Sequence, residues 1–195
     1  MRKITNKEKY AKKQKRNQLI LGLGLVFVML MSVIGYGFVG RPSEDNNSAE
    51  KIVVNGVEFV NTNGLYGTEL GGVQVVLSNN PKEVYQIEEN IHYANSYTGL
   101  PLYVSSNNDL ATREIYSTYI QIAQRIQNAC LINDTTIECE ENFPTKDCTN
   151  NFIIIRKSNE TSVVQEDNCL FISGPSENLI NITDGFLLKS LGIAN

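Results

Sequence analysis

Residues 102–109, LYVSSNND, carry the pattern that decides the fold class. An apolar run that ends in serines is typical of a buried strand, and the Asn and Asp that follow favour the first turn of a helix. A stripe of apolar residues at helical spacing continues the pattern: Ile115, Tyr119, Ile122, Ile126 and Cys130. The stretch therefore predicts a strand followed by a helix that runs to about residue 129.

Two other stretches repeat this strand-to-helix junction. Residues 73–78, VQVVLS, lead into a predicted helix from Pro81 to about residue 93, and residues 169–173, CLFIS, lead into one from Pro175 to about residue 191. Proline suits the first helical position because its missing N–H would have no partner there. Helices that alternate with apolar strands predict an α/β domain, with a mixed β-sheet and about three packed helices.

Hairpins complete the predicted sheet. Residues 51–60, KIVVNGVEFV, place two branched apolar runs around Asn55–Gly56, which suits a type I′ turn. Residues 61–72 contain four glycines and are interpreted as an ordinary mobile loop. Residues 152–156 and 162–165 predict a second hairpin, with β-strands joined by a longer turn.

The N-terminal region predicts a membrane anchor. Residues 1–18 hold eight Lys/Arg and one Glu, and residues 19–40, from Leu19 to Gly40, are 22 residues without a charge. As a helix this run would be about 33 Å long, enough to span a bilayer core of roughly 30 Å. The basic tail keeps the N-terminus in the cytoplasm, so residues 41–50 form a linker and residues 51–195 an extracytoplasmic domain. The alternative is a cleaved signal peptide, although 22 residues exceed its usual apolar length.

Charge and composition exclude several functional classes. Residues 19–195 carry a net charge of −11, so the only basic stretch is the short tail, which argues against nucleic-acid binding. One uncharged run argues against both a multi-pass transporter and a plain cytosolic protein. His92 is the only histidine, which argues against a catalytic triad and against a metal site built on imidazole ligands. No cofactor is indicated.

The four cysteines lie within the predicted outer domain, at Cys130, Cys139, Cys148 and Cys169. Spacings of 9, 9 and 21 residues do not fit the close pairs of a zinc site. An even set outside the membrane predicts two disulfides. We expect Cys130–Cys139 and Cys148–Cys169, because the hairpin over residues 152–165 would return the chain towards Cys148.

A ligand site is predicted where the three junction strands end. If these strands run parallel, their polar ends line one edge of the sheet, and such crevices bind ligands in open α/β sheets. The alternative is that these side chains are only helix caps. The candidate ligand-binding residues are Ser78, Asn80, Ser105, Asn108, Ser173 and Gly174. A separate acidic cluster beside Cys139, at residues 138–141, is interpreted as a solvated loop.

Both ends of the chain resemble a known group. The similarity lies in the basic start, in MLMSVIGYGF (residues 29–38), and in NFIIIRKSNE, NCLFISGP and FLLKSLGI of the C-terminal region. In these stretches the chain is similar to single-pass, membrane-anchored envelope proteins of archaea. The resemblance implies a cell-envelope location and carries no activity. We therefore expect a membrane-anchored binding or scaffolding module with an envelope protein or glycan as partner. The alternative is an extracytoplasmic hydrolase that uses paired carboxylates.

Overall fold

A computed structural model describes residues 50–194 of the chain. The predicted basic tail (1–18), the membrane span (19–40) and the linker before Glu50 lie outside the described residues. Among residues 50–194, no helix is long and apolar enough to cross a membrane. The described part is a mixed, sheet-rich α/β structure with two α-helices, where the sequence predicted about three.

The first sheet is an antiparallel meander. Its strands, in spatial and chain order, are β1 (Lys51–Val54), β2 (Val57–Thr62), β3 (Leu65–Leu70) and β4 (Val73–Leu77). The turn Asn55–Gly56 has φ values of +47° and +86°, which confirms the predicted hairpin. The mobile loop predicted for residues 61–72 is wrong. Three of its four glycines form two more tight turns with positive φ, at residues 63–64 and 71–72. The weakly apolar stretch between the turns becomes a strand because it pairs on both sides.

The second sheet has five strands and forms the centre of the molecule. The remaining strands are β5 (Pro101–Ser106), β6 (Arg125–Asn128), β7 (Cys130–Leu131), β8 (Thr145–Lys146), β9 (Phe152–Lys157), β10 (Ser162–Glu166) and β11 (Cys169–Gly174). The central sheet has the order β10-β11-β9-β5-β6, in which all strands except β10 run parallel. Strands β7 and β8 pair as a small separate sheet.

The hairpin predicted between residues 152–156 and 162–165 is wrong, because β11 lies between β9 and β10. Residues 152–155 and most of β11 are buried, and strands covered on both faces belong in the middle of a sheet. Strand β10 alternates between exposed and buried residues, which suits an edge strand. It forms its hairpin with β11 instead, through the two-residue turn at Asp167 and Asn168.

The helices are α1 (Asp109–Tyr119) and α2 (Leu179–Ser190). The helix predicted to reach residue 129 ends ten residues early, because residues 125–128 pair with β5 as strand β6. Ile115 and Tyr119 are fully buried on α1, whereas Ile126 and Cys130 belong to strands. The last helix begins at Leu179 rather than Pro175, and Gly192, with φ of +73°, follows its end as expected.

The helix predicted for residues 81–93 is also wrong. This stretch has no regular structure until the 3-10 helix Ala94–Tyr97, and it packs through the buried side chains of Val84, Ile87 and Ile91. Its backbone lies directly against α2, where a Cβ on Gly185 would overlap the carbonyl oxygen of Tyr85. We call residues 81–93 the strap. Its apolar residues have helical spacings of three and four, but the stretch is not helical because packing on α2 outweighs the local helical pattern.

The central sheet is covered on both faces. One face, with Leu102, Ile153 and Ile172, packs with α1, α2 and the meander in a single large core. The other face, with Tyr103 and Ile154, packs against the cysteine-bearing loop that follows β6. The carboxyl ends of the parallel strands are therefore bordered by the start of α1 on one side and by this loop on the other.

Candidate functional site

Four of the predicted ligand residues lie at the carboxyl ends of the parallel strands. Ser105 pairs in register with Ile154 of β9, and Ser173 pairs with Arg156 of the same strand, so the two serines flank β9 at one edge. Gly174 follows Ser173 as the last residue of β11, and Asn108 follows β5. The structure therefore brings Ser105, Asn108, Ser173 and Gly174 to one edge.

Two of these side chains already have partners within the fold. Asn108 Oδ1 accepts a hydrogen bond from the N–H of Ala111 at 3.0 Å, which caps the start of α1. The hydroxyl of Ser173 accepts a hydrogen bond from Arg156 Nε at 3.2 Å. Both contacts stabilise the edge, and Ser105 is the member of this set that lines an open cleft.

Ser78 and Asn80 lie elsewhere, because they follow β4, a strand of the meander and not of the central sheet. The N–H of Ser78 donates to Glu114 Oε1 of α1 at 3.1 Å. Asn80 stabilises its own turn, since its Oδ1 accepts from the N–H of Lys82 at 3.1 Å and its Nδ2 donates to Glu83 at 3.0 Å. The six predicted residues thus fall into two groups in separate sheets.

A cleft with a volume of about 170 Å³ lies at the carboxyl ends of β5 and β6. Its polar lining comes from seven residues: Ser105, Ser106, Asp109, Thr112, Asn128, Glu138 and Glu140. Ligand pockets for drug-sized molecules usually measure roughly 300–1,000 Å³, so this cleft has room only for a small polar group. The acidic loop residues, which the sequence placed in a solvated loop, reach the same cleft as Ser105.

The sequence reasoning missed Asn128, because it placed this residue inside a helix. Strand β6 instead carries Asn128 beside α1, where its Oδ1 accepts a hydrogen bond from the hydroxyl of Tyr116 at 2.8 Å. No local signal marks it, since the polar residues at 124, 125, 127 and 128 also fit the polar face of a helix whose stripe continues through Ile122 and Ile126. The parallel pairing of β6 with β5 decides its position.

A second group of acids lies in the interior. Glu114 of α1 is 7% exposed and Asp184 of α2 is 0% exposed. Glu114 Oε1 accepts from the N–H of Ser78, and Asp184 Oδ2 accepts from both the N–H and the Nδ2 of Asn79, each at 2.9 Å. The remaining oxygens, Glu114 Oε2 and Asp184 Oδ1, are buried and have no hydrogen-bond donor other than each other's carboxyl group.

These two carboxyl groups share a proton. Burial, and after it the hydrogen bond to Asp184 and the negative charge of that residue, together raise the pKa of Glu114 to about 9. Burial also raises the pKa of Asp184, while the hydrogen bonds from Glu114 and Asn79 act in the opposite direction. Below its pKa, Glu114 therefore keeps its proton and donates a hydrogen bond to Asp184, and the pair joins both helices to the turn after β4.

The sequence reasoning did not single out this pair. Asp184 lies in a helix that is otherwise apolar or neutral until Lys189, which is the signal that could have identified it. Glu114 gave no signal, because it stands among other polar residues on α1. Only the approach of the two helices places their carboxyl groups together.

Both disulfides are present with the expected pairing. The Cα atoms of Cys130 and Cys139 are 5.7 Å apart, and those of Cys148 and Cys169 are 5.0 Å apart. The second bridge forms for a different reason from the one the sequence suggested: Cys169 starts β11 beside Phe152 of β9, shortly after Cys148. Disulfides persist in oxidising compartments, so they are consistent with an extracytoplasmic domain.

The described residues contain no cluster of three or more His, Cys, Asp or Glu side chains that could hold a metal ion. The predicted position of His92 near the end of a helix is wrong, because it lies in the strap, where its N–H donates to Gln165 Oε1 at 3.4 Å. Comparison with known proteins found no matching family model, no similar curated protein and no similar solved structure.

Proposed function

We propose that the chain is a binding or scaffolding module of the cell envelope, anchored through residues 19–40 with residues 51–195 outside the membrane. Its partner is an envelope protein or glycan, which it binds without chemical turnover. The two disulfides support an oxidising location. The basic tail and the uncharged run of 22 residues support the orientation.

The observation that carries this proposal is the position of the paired carboxyl groups. A hydrolase that uses paired carboxylates needs both acids beside the scissile bond, in a cleft that admits the substrate and water. Among the described residues, Glu114 and Asp184 are the acids whose pKa values are raised, and both are buried. Their oxygens accept hydrogen bonds from the turn after β4, and the shared proton links α1 to α2. This pair therefore connects parts of the fold and has no access to a substrate.

The surface offers features that suit binding. The cleft at the ends of β5 and β6 accommodates a small polar group, and a longer groove borders the edge strand β10. An available strand edge and a bordering groove are features through which proteins bind other chains. The alternative function, hydrolysis, would have to use the carboxylates of the small cleft, Glu138 and Glu140 together with Asp109.

The test uses the full-length chain in lipid nanodiscs, incubated with protein and polysaccharide fractions of native envelopes. We expect saturable retention of a component whose mass, measured after elution, equals its mass before binding. The double variant Glu138→Gln/Glu140→Gln tests the alternative, with Glu177→Gln as a control for an exposed acid outside the cleft. Release of cleavage products by the wild-type chain, lost in the double variant and kept in the control, would establish a hydrolase and refute the proposal.

A further inference from the structure

Strand β10 is an edge of the central sheet and pairs only with β11. Because a two-residue turn joins these strands, Glu166 and Cys169 form a hydrogen-bonded pair next to the turn. Along the strand, hydrogen-bonded pairs then alternate with pairs that are not hydrogen-bonded to each other. Val163 and Gln165 consequently direct their backbone N–H and C=O groups away from β11. Within residues 50–194, these backbone groups form no hydrogen bond to another backbone group on the free side of the strand.

A groove of about 470 Å³ runs along this free side. One wall is residues 161–164, and the other is residues 85–89 of the strap. The strap wall is held in place because Ile87 is buried and its carbonyl oxygen accepts from Lys189 Nζ at 2.7 Å. The N–H of His92 also donates to Gln165 Oε1 at 3.4 Å, which ties the strap to β10. The four residues 161–164 span about 13 Å when extended, which is the length of a short extended peptide.

The charge around this groove is negative. Glu88 and Glu89 are exposed on the strap wall, and Glu160 and Glu166 flank the strand wall, while no Lys or Arg side chain lines the groove. The only ion pair among the described residues is Lys51–Glu58, so none of these carboxylates is neutralised within this part of the chain. Residues 50–194 contain eighteen acidic and eight basic residues, a net charge of −10.

We propose that this groove binds an extended, basic segment of a partner protein, which adds a strand to β10. The inference rests on the proposed binding function and names the surface and the chemistry of the partner. Backbone groups of the segment pair with those of Val163 and Gln165, and its Lys or Arg side chains meet Glu88 and Glu89. A second copy of this chain is a poorer occupant, because it would bring two negatively charged domains together.

The first experiment titrates the full-length chain in nanodiscs against a fluorescent peptide of alternating valine and lysine, followed by anisotropy. We expect saturable binding that weakens with added salt, because exposed charges are screened. Two peptides of equal length serve as controls: one alternates valine and glutamate, and the other keeps the lysines but is N-methylated along its backbone. Both should bind at least about tenfold more weakly, a difference of about 1.4 kcal/mol.

The second experiment compares two variants with the same change in charge. Glu88→Lys/Glu89→Lys alters the groove, and Glu69→Lys/Glu177→Lys alters two exposed acids outside both the groove and the cleft. We expect the groove variant to lose at least about tenfold in affinity for the lysine peptide and the control variant less than about twofold. In the wild-type chain, bound peptide should slow hydrogen exchange at the amides of Val163 and Gln165, a readout that unspecific charge attraction would leave unchanged.

Three results would overturn the inference. Equal binding of the N-methylated peptide would show that no strand is added. Equal losses in both charge variants would show that the whole acidic surface attracts the peptide. A dimer of the wild-type chain that dissociates in the groove variant would assign the edge to a second copy. If the envelope component is retained while the lysine peptide is not, the inference fails alone, whereas loss of both refutes the binding function as well.

Discussion

Replacing Glu114 with glutamine tests the proton shared by Glu114 and Asp184. Glutamine has nearly the same shape, its carbonyl oxygen can still accept from the N–H of Ser78, and its NH₂ group can donate to Asp184 in place of the carboxyl O–H. The variant therefore imitates the protonated acid and cannot ionise. Its effect on stability should depend on pH.

The magnitude follows from the pKa of Glu114, which rises from 4.5 in a free side chain to about 9 in the fold. Between these values the folded chain holds a proton that the unfolded chain has lost, so stability falls as pH rises, by about 1.4 kcal/mol per pH unit. The contribution is complete below about pH 4.5 and is lost towards pH 9. From about pH 5.5 to about pH 7.5 the wild-type chain should lose about 3 kcal/mol. The raised pKa of Asp184 acts in the same direction.

The assay is thermal unfolding of the full-length chain with its disulfides intact, followed by the near-ultraviolet circular dichroism of its tyrosines. Over that interval the wild-type melting temperature should fall by roughly 6–12 °C. Glu114→Gln should melt close to the wild type at the acidic end and well above it at the alkaline end. Glu177→Gln, an exposed control, should follow the wild type throughout. A wild-type melting temperature that does not change with pH, or an equal fall in Glu114→Gln, would refute the shared proton.

Two further predictions concern packing and cross-linking. Gly185→Ala should destabilise the fold by about 3 kcal/mol, because its Cβ would overlap the Tyr85 carbonyl oxygen. Gly67→Ala is the control, because its Cβ would meet no atom within 4 Å, and its stability should stay within about 0.5 kcal/mol of the wild type. Equal urea midpoints for the two glycine variants would contradict the close contact at Gly185. Replacing both Cys148 and Cys169 with alanine should also lower the urea midpoint, since the bridge closes a loop of sequence separation 21, worth about 3 kcal/mol; an unchanged midpoint would contradict a stabilising role.

Much of the local structure could be predicted from short stretches. Asn55–Gly56 defines its hairpin because both residues tolerate positive φ. The apolar runs that became β5, β9 and β11 were found with nearly correct bounds, since buried strands need unbroken apolar sequence. The disulfide pairing was also correct, although the parallel register of β11 with β9, and not a hairpin, places Cys169 near Cys148.

The candidate site was predictable only in part. Ser105 was found because it ends a recognisable buried strand, and the structure places it in a cleft. Asn128 was missed, since its strand has a helical apolar period and becomes β6 only through pairing with β5. The groove beside β10 joins residues about 75 positions apart in the chain. No local pattern could have predicted it.

The sequence by itself determined the tight turns, the buried strands, the cysteine set and the uneven distribution of charge. These features depend on backbone preferences and composition over a few residues. Only the tertiary structure decided that residues 81–93 form no helix, that β11 separates β9 from β10, and that Glu114 meets Asp184. The physical reason is that each outcome depends on a surface that a distant segment supplies. Helix α2 packs on the strap, and β11 pairs with the edge of β9. Burial between two helices makes two carboxyl groups share one proton.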